Sequence, residues 1–426
     1  MLELLLLVLF LGVLFSTRSK VGIANPFFIY FLPWFLIVVG YYLSAGSYIN
    51  VSPDFLFTML AAKILAFAIF LIAYNALSDR LRPSFFEQSI VPRRRLLLIA
   101  QIFTILALPL TYRKALEFTG GTSLFSVQGF TLLRYAFVQD GQQFGVLNYF
   151  SILSFVVASI RVFILAKNGS NRALSFLSLF VSLSYVYLGT GRTSALQLLL
   201  LIGVPLVMLG IVRWRGILIS SFLFFVLFVC ITAMTEKGIS FDSGLRENVE
   251  SASENVRSYV VAPFLAFSTV EASNLTPQWG DNSFRLVITI LHAMGISEKI
   301  PVALVREYAY VPDATNVYTV YETYFLDFSY AGIFIPPLFL IGHWWLYRRA
   351  EKLSGKWFFY YSASTFPLVM QFFQDQYFSL LSIWIQIAFW YWLLIEKSKK
   401  NRMKNRKIIS YPLFSATSPL GLRGNS

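Results

Sequence analysis

The sequence is short of charge, cysteine and histidine, and each shortage removes a class of protein. Asp, Glu, Lys and Arg make up only 13% of its 426 residues, where an ordinary soluble domain carries about 25%. Apolar residues make up 57% and aromatics 18%, too much hydrocarbon for the polar surface of one water-soluble fold to cover. The single cysteine, Cys230, sits in an apolar run; an intrachain disulfide is excluded, and nothing nearby would activate a thiol. The two histidines, His292 and His343, have no cysteine or second histidine at ligand spacing, so no metal centre is written in the sequence. There is no phosphate-cradling glycine loop and no internal repeat.

What is there is a series of long apolar runs. They fall near residues 2–16, 23–44, 55–76, 96–112, 146–166, 173–189, 195–212, 216–235, 326–346, 357–374 and 378–395. A helix of about 20 such residues matches a hydrocarbon layer of roughly 30 Å and satisfies its own backbone hydrogen bonds. The expected fold is therefore an all-α polytopic membrane protein, residues 1–426 forming a single membrane domain with about eleven crossings. The first run is as short as a signal-peptide core. Glu3 stands where a basic region belongs, however, and no small-residue cleavage site follows, so it reads as an anchor.

Lysine and arginine set the expected orientation, because basic loops stay cytoplasmic. Alternate links carry 23 basic residues on one side and 10 on the other. This predicts a cytoplasmic C-terminus with a basic tail over 396–426, a large external loop over 236–325 and a second external segment over 113–145. The net charge of +14 is then explained by topology and anionic lipid headgroups, without a nucleic acid. Within the large loop, 242–259 reads as an amphipathic helix containing Arg246. The stretches 259–270 and 284–294 are too short to cross and are expected to pack on the membrane domain or lie in the interface. Residues 122–138, with Arg134, read as an interfacial helix. Two charges lie inside runs. Lys63 is central, where it is functional or paired with a carboxylate; Arg161 is near an end, where it is expected to snorkel, and His343 is placed at the cytoplasmic end of its run.

The run Leu188-Gly-Thr-Gly-Arg192-Thr-Ser-Ala, the run Thr315-Asn316-Val-Tyr318-Thr319 and the run Leu326-Asp327-Phe-Ser-Tyr-Ala-Gly332 resemble motifs of the Wzy-type O-antigen polymerases, which join oligosaccharide repeat units. The family pattern ends in Asp-Phe-Gly, and here Ser329 takes the place of the glycine. The resemblance implies a GT-C-like membrane glycosyltransferase of the bacterial inner membrane. Its donor would be a growing glycan on undecaprenyl diphosphate and its acceptor a sugar hydroxyl of a second lipid-linked repeat unit, both at the periplasmic face. It implies an inverting transfer without a metal or other cofactor, with a flippase and a chain-length regulator as partners.

Such a reaction releases a lipid diphosphate, and arginine suits that leaving group because its planar fork gives two hydrogen bonds and keeps its charge. Arg192, placed after Gly189 and Gly191, which would let backbone approach a ligand, is the leading cation. Arg285 and Arg306 follow, then Arg134, Arg246 and Lys63. Asn316 and Tyr318 are expected to orient sugar hydroxyls. Among the loop carboxylates, Glu322 and Asp327 stand nearest the Asn316 motif as candidate bases. Two other readings share the architecture in part: an O-antigen ligase, disfavoured because Thr315 rather than histidine precedes Asn316, and a flippase, disfavoured by the long loop.

Overall fold

The computed structural model describes residues 1–18, 23–44, 46, 48–75, 92–234, 259–271, 276–303, 306–312, 314–353 and 355–396. Among the described residues the chain is α-helical apart from one small hairpin, β1 (Ala309–Tyr310) with β2 (Ala314–Thr315). In order the helices are α1 (Leu2–Arg18), α2 (Pro26–Leu43), α3 (Pro53–Asn75), α4 (Arg94–Phe118), α5 (Val127–Val138), α6 (Asn148–Asn168), α7 (Arg172–Leu188), α8 (Arg192–Met208) and α9 (Trp214–Met234). Then come α10 (Tyr259–Glu271), α11 (Arg285–Ala293), α12 (Val320–Phe328), α13 (Ile335–Leu353), α14 (Lys356–Met370) and α15 (Leu381–Leu394). Among the described residues five helical stretches, Pro26–Leu43, Pro53–Asn75, Arg94–Phe118, Gly145–Asn168 and Val320–Glu351, are long and apolar enough to cross a membrane, and shorter apolar helices accompany them. The expected helix at 242–259 and Arg246 within it lie outside the described residues.

Among the described residues the helices pack as a small core formed by Ala115, Leu124, Leu133, Phe144 and Leu188 and as two large ones. One is built from α1, α2, α3, α10, α12 and the start of α13, and is filled by large rings such as Phe31, Trp34, Phe55, Phe264 and Tyr324. The other gathers α4, α6, α7, α8, α14 and α15 around α6, which is buried on nearly every side from Ile152 to Arg161. Without a hydrophobic drive between helices in lipid, close approach depends on small residues and hydrogen bonds. Serines supply both between α6 and α7: Ser182 donates to the Ser154 carbonyl at 2.9 Å and Ser175 to the Arg161 carbonyl at 3.1 Å. Arg161 itself is buried rather than snorkelling, because α6 is the central helix of that core. His343 is likewise buried in mid-helix, its Nε2 2.9 Å from the Tyr377 hydroxyl, so it points to the link between α14 and α15 and not to the far end of α13.

The stretch 259–270, expected on the domain surface or in the interface, forms α10, whose Val261, Phe264, Leu265 and Phe267 are fully enclosed. Phe264 meets Phe55 edge-on and Phe267 stacks on Tyr321. After α10 the chain carries α11 and the β1–β2 hairpin. It returns through α12, a turn of 3-10 helix at Ser329–Phe334, and α13. The single run expected at 326–346 is thus two helices with a break. Gly332 makes the break possible, since a Cβ there would lie 1.9 Å from the Tyr324 carbonyl oxygen.

Candidate functional site

The loop from Gln278 to Ser283 is fastened to the end of α12 and in turn places the polar groups of a cleft. Gln278 N–H donates to the Leu326 carbonyl at 2.9 Å and Trp279 N–H to the Asp327 carbonyl at 3.0 Å. The Asp327 carboxylate is completely buried. It accepts from the backbone N–H and side-chain Nδ2 of Asn282 at 3.0 and 2.8 Å, and from the N–H of Ser283 at 2.7 Å as well as its hydroxyl. With Nδ2 spent on Asp327 and Gln278, the Asn282 carbonyl oxygen is turned outward, where Arg306 Nη2 donates to it at 2.7 Å. Partners on both sides fix which end of this amide is which.

Arg306 is also the ion partner of Glu322. Its Nε lies 2.9 Å from Oε1 and its Nη2 3.2 Å from Oε2, the two-point geometry that makes an arginine–carboxylate pair strong. Glu322 projects from the first turn of α12, and its side chain is 7% exposed against 22% for Arg306. Arg285, the first residue of α11, donates Nε to the Val302 carbonyl at 2.6 Å. Burial, and the like charge of Arg306, hold its guanidinium below the ordinary arginine range, an arrangement that a bound anion relieves.

One cleft is lined by Asn282, Arg285, Arg306, Asn316, Tyr318 and Glu322, together with Gln374, Asp375 and Ser379 from the link between α14 and α15. The Tyr318 hydroxyl donates to the Glu307 carbonyl at 3.1 Å. Burial, and the neighbouring Glu322 carboxylate, push its phenol above the ordinary range. Asp375 is nearly inaccessible. It accepts from Tyr324 Oη, Tyr377 N–H and Ser379 N–H at 3.0 Å and from Ser379 Oγ at 2.8 Å. Burial drives its carboxyl up and these donors draw it back.

Arg285, Arg306, Asn316, Tyr318 and Glu322, singled out in the sequence from separated segments, therefore meet in one place. Arg192 and Arg134 form a neighbouring patch. Arg192 begins α8, is buried, and lies over the Tyr259 ring at 5.2 Å. Arg134 Nη1 donates to the Thr190 carbonyl at 3.1 Å. The left-handed residue of the Gly-Thr-Gly link is Thr190, with φ of 49°, and neither glycine has positive φ. Tyr259 stacks on Phe373, next to the cleft residue Gln374, so the two basic centres are separated by a pair of rings.

Lys63 belongs to neither. It is fully buried, its Nζ 3.5 Å from the Trp34 ring centroid, donating to Tyr321 Oη at 2.9 Å and Tyr30 Oη at 3.3 Å. Among the described residues an aromatic cage rather than a carboxylate meets the amine, a compensation worth about 2 kcal/mol or more when desolvated. It ties α2, α3 and α12 together.

Asn282 and Asp375 were not singled out in the sequence. Asp375 had one available signal: it is the single acidic residue of the short link between the last two runs. Asp327, expected as a candidate base, is instead saturated by the loop it holds. Among the described residues no three His, Cys, Asp or Glu side chains come together as metal ligands. In chemical terms the cleft offers one partly compensated guanidinium, one guanidinium shared with a buried carboxylate, and an amide and a phenol that suit a polyhydroxylated ligand. No family model matches the chain, and neither curated proteins nor solved structures gave a match.

Proposed function

We propose that the protein polymerises lipid-linked oligosaccharide repeat units, transferring a growing glycan from undecaprenyl diphosphate to a sugar hydroxyl of a second undecaprenyl-diphosphate-linked unit. The observation that carries this reading is the convergence of Arg285 and Arg306 with Asn316, Tyr318 and Glu322 in one cleft at an end of the helix bundle. In this reading α1 to α4, α6 to α9 and α13 to α15 cross the bacterial inner membrane, the cleft faces the periplasm and the basic C-terminal tail is cytoplasmic, as the charge asymmetry favours.

The acceptor oxygen attacks the anomeric carbon as the bond to the donor diphosphate breaks, and the electron pair leaves with the diphosphate. Stabilising that developing charge is the main electrostatic task, and it falls to Arg285 and Arg306. As Arg306 turns toward the diphosphate, Glu322 is left as a buried carboxylate without its cation. Such a group takes up a proton readily, here the one released by the acceptor hydroxyl. Asn316 and Tyr318 orient sugar hydroxyls, and Arg192 with Arg134 provides positive potential beside the cleft.

The test is deletion of the gene followed by electrophoresis of the cell-surface polysaccharide. Loss of the polymerase removes the ladder but leaves a band with one repeat unit on its acceptor. Loss of an O-antigen ligase removes every unit, the single one included, and that result would replace this reading. An unchanged ladder would refute both.

A further inference from the structure

Helix α11 has two unlike sides. Arg285, Thr289 and His292 recur at steps of four and three on one, and Val287, Ile290 and Met294 at steps of three and four on the other, the spacing that segregates faces of a helix. The first side carries Arg285 into the cleft. The second is bare: Val287, Ile290 and Met294 are exposed, and the chain continues with exposed Ile296 and Ile300. Trp279, just before the helix, is 78% exposed. A contiguous patch of this kind marks a surface that something covers.

The position of α11 identifies what covers it. Phe284, its N-terminal neighbour, meets the Phe378 ring at 6.3 Å, and Phe378 meets Phe339 at 6.0 Å. Phe339 lies in the second turn of α13, beside Leu338 and Ile341, which are exposed on the same helix. The start of α11 is thus joined through ring contacts to α13, a helix that exposes the apolar Leu338 and Ile341. An amphipathic helix at the rim of a membrane domain, with a tryptophan at its edge, has the character of an interfacial helix.

We propose that the apolar face of α11 lies in the bilayer interface on the cleft side, with Val287, Ile290 and Met294 among the upper acyl chains. Arg285, on the opposite side, then stands at headgroup depth, and the cleft receives an anionic ligand carried by the membrane rather than one from bulk water. The placement of α11 stands whatever reaction the cleft performs; the route of the ligand rests on the proposed function.

The test uses the full chain in vesicles of phosphatidylethanolamine and phosphatidylglycerol, with Cys230 replaced by serine. Single nitroxide labels are placed at Ile290→Cys, Val287→Cys and His292→Cys, and collision with oxygen, which concentrates in lipid, is compared with collision with a water-soluble nickel chelate. The labels at 287 and 290 should favour oxygen several-fold, and the label at 292 the chelate. Equal chelate access at all three positions would overturn the proposal, as would protection of 287 and 290 from both reagents, which indicates a protein partner. Because these positions are on the surface, the labels leave the core intact, and the result does not depend on polymerase activity.

Discussion

Replacing Asp327 by asparagine should loosen the whole cleft without removing any residue that lines it. The carboxylate accepts four hydrogen bonds, two on each oxygen, from Asn282 and Ser283. Asparagine converts one oxygen to an amide nitrogen, so two of these donors face another donor. Hydrogen bonds to a charged acceptor contribute about 1.5 to 3 kcal/mol each, so the expected loss is about 3 to 6 kcal/mol. Thermal unfolding of the purified protein in detergent, followed by tryptophan fluorescence, should show a midpoint lower by roughly 3 to 7 °C. Asp281→Asn is the control. That carboxylate pairs with Lys299 at the surface, where the ammonium is 52% exposed, and an exposed pair contributes about 0 to 1 kcal/mol. If Asp327→Asn unfolds within a degree of the parent while Asp281→Asn behaves as expected, the clamp is not what holds the loop.

Other predictions follow the same geometry. Ser329 has φ of 52° and ψ of −143°, a region that only glycine enters freely, so Ser329→Gly should stabilise by about 1 to 3 kcal/mol, seen as a higher unfolding midpoint. Gly332→Ala places a Cβ against the Tyr324 carbonyl and should lower the midpoint or the yield of folded protein, while Gly342→Ala, with open space around it, should change neither. Lys63→Met should lose about 2 kcal/mol of ring contact, while Tyr30 and Tyr321 keep their mutual bond of 2.9 Å; Trp34→Ala should lose about 3 to 5 kcal/mol by opening a cavity, and the reverse order would refute the cage. Arg192→Ala should shorten the polysaccharide ladder, and Arg192→Lys should fall between it and the parent, because lysine keeps the charge but not the fork.

The helices were legible because lipid demands long apolar runs, and each expected run has a helical counterpart in the structure. The return of the chain at 320–335 was not, because its break depends on a close backbone approach at Gly332 and a left-handed residue at Ser329, neither of which interrupts the hydropathy. Cations of the cleft were legible as charges beside apolar segments. Asn282 and Asp375 were not, since a neutral amide and a lone aspartate become informative only when burial and partners are known. For Lys63 the sequence announced a charge in a membrane helix but not its solution, which is assembled from Tyr30, Trp34 and Tyr321 far apart in the chain.

In the proposed function the cleft binds the diphosphate through Arg285. A deletion strain complemented with Arg285→Ala at matched membrane level measures it most directly. Loss of one preorganised donor lowers rate on the order of 10² to 10³, and among the described residues Arg285 holds the Val302 carbonyl and no ion partner, so the protein should fold and accumulate while the ladder collapses to the single-unit band. A full-length ladder from Arg285→Ala would contradict the account.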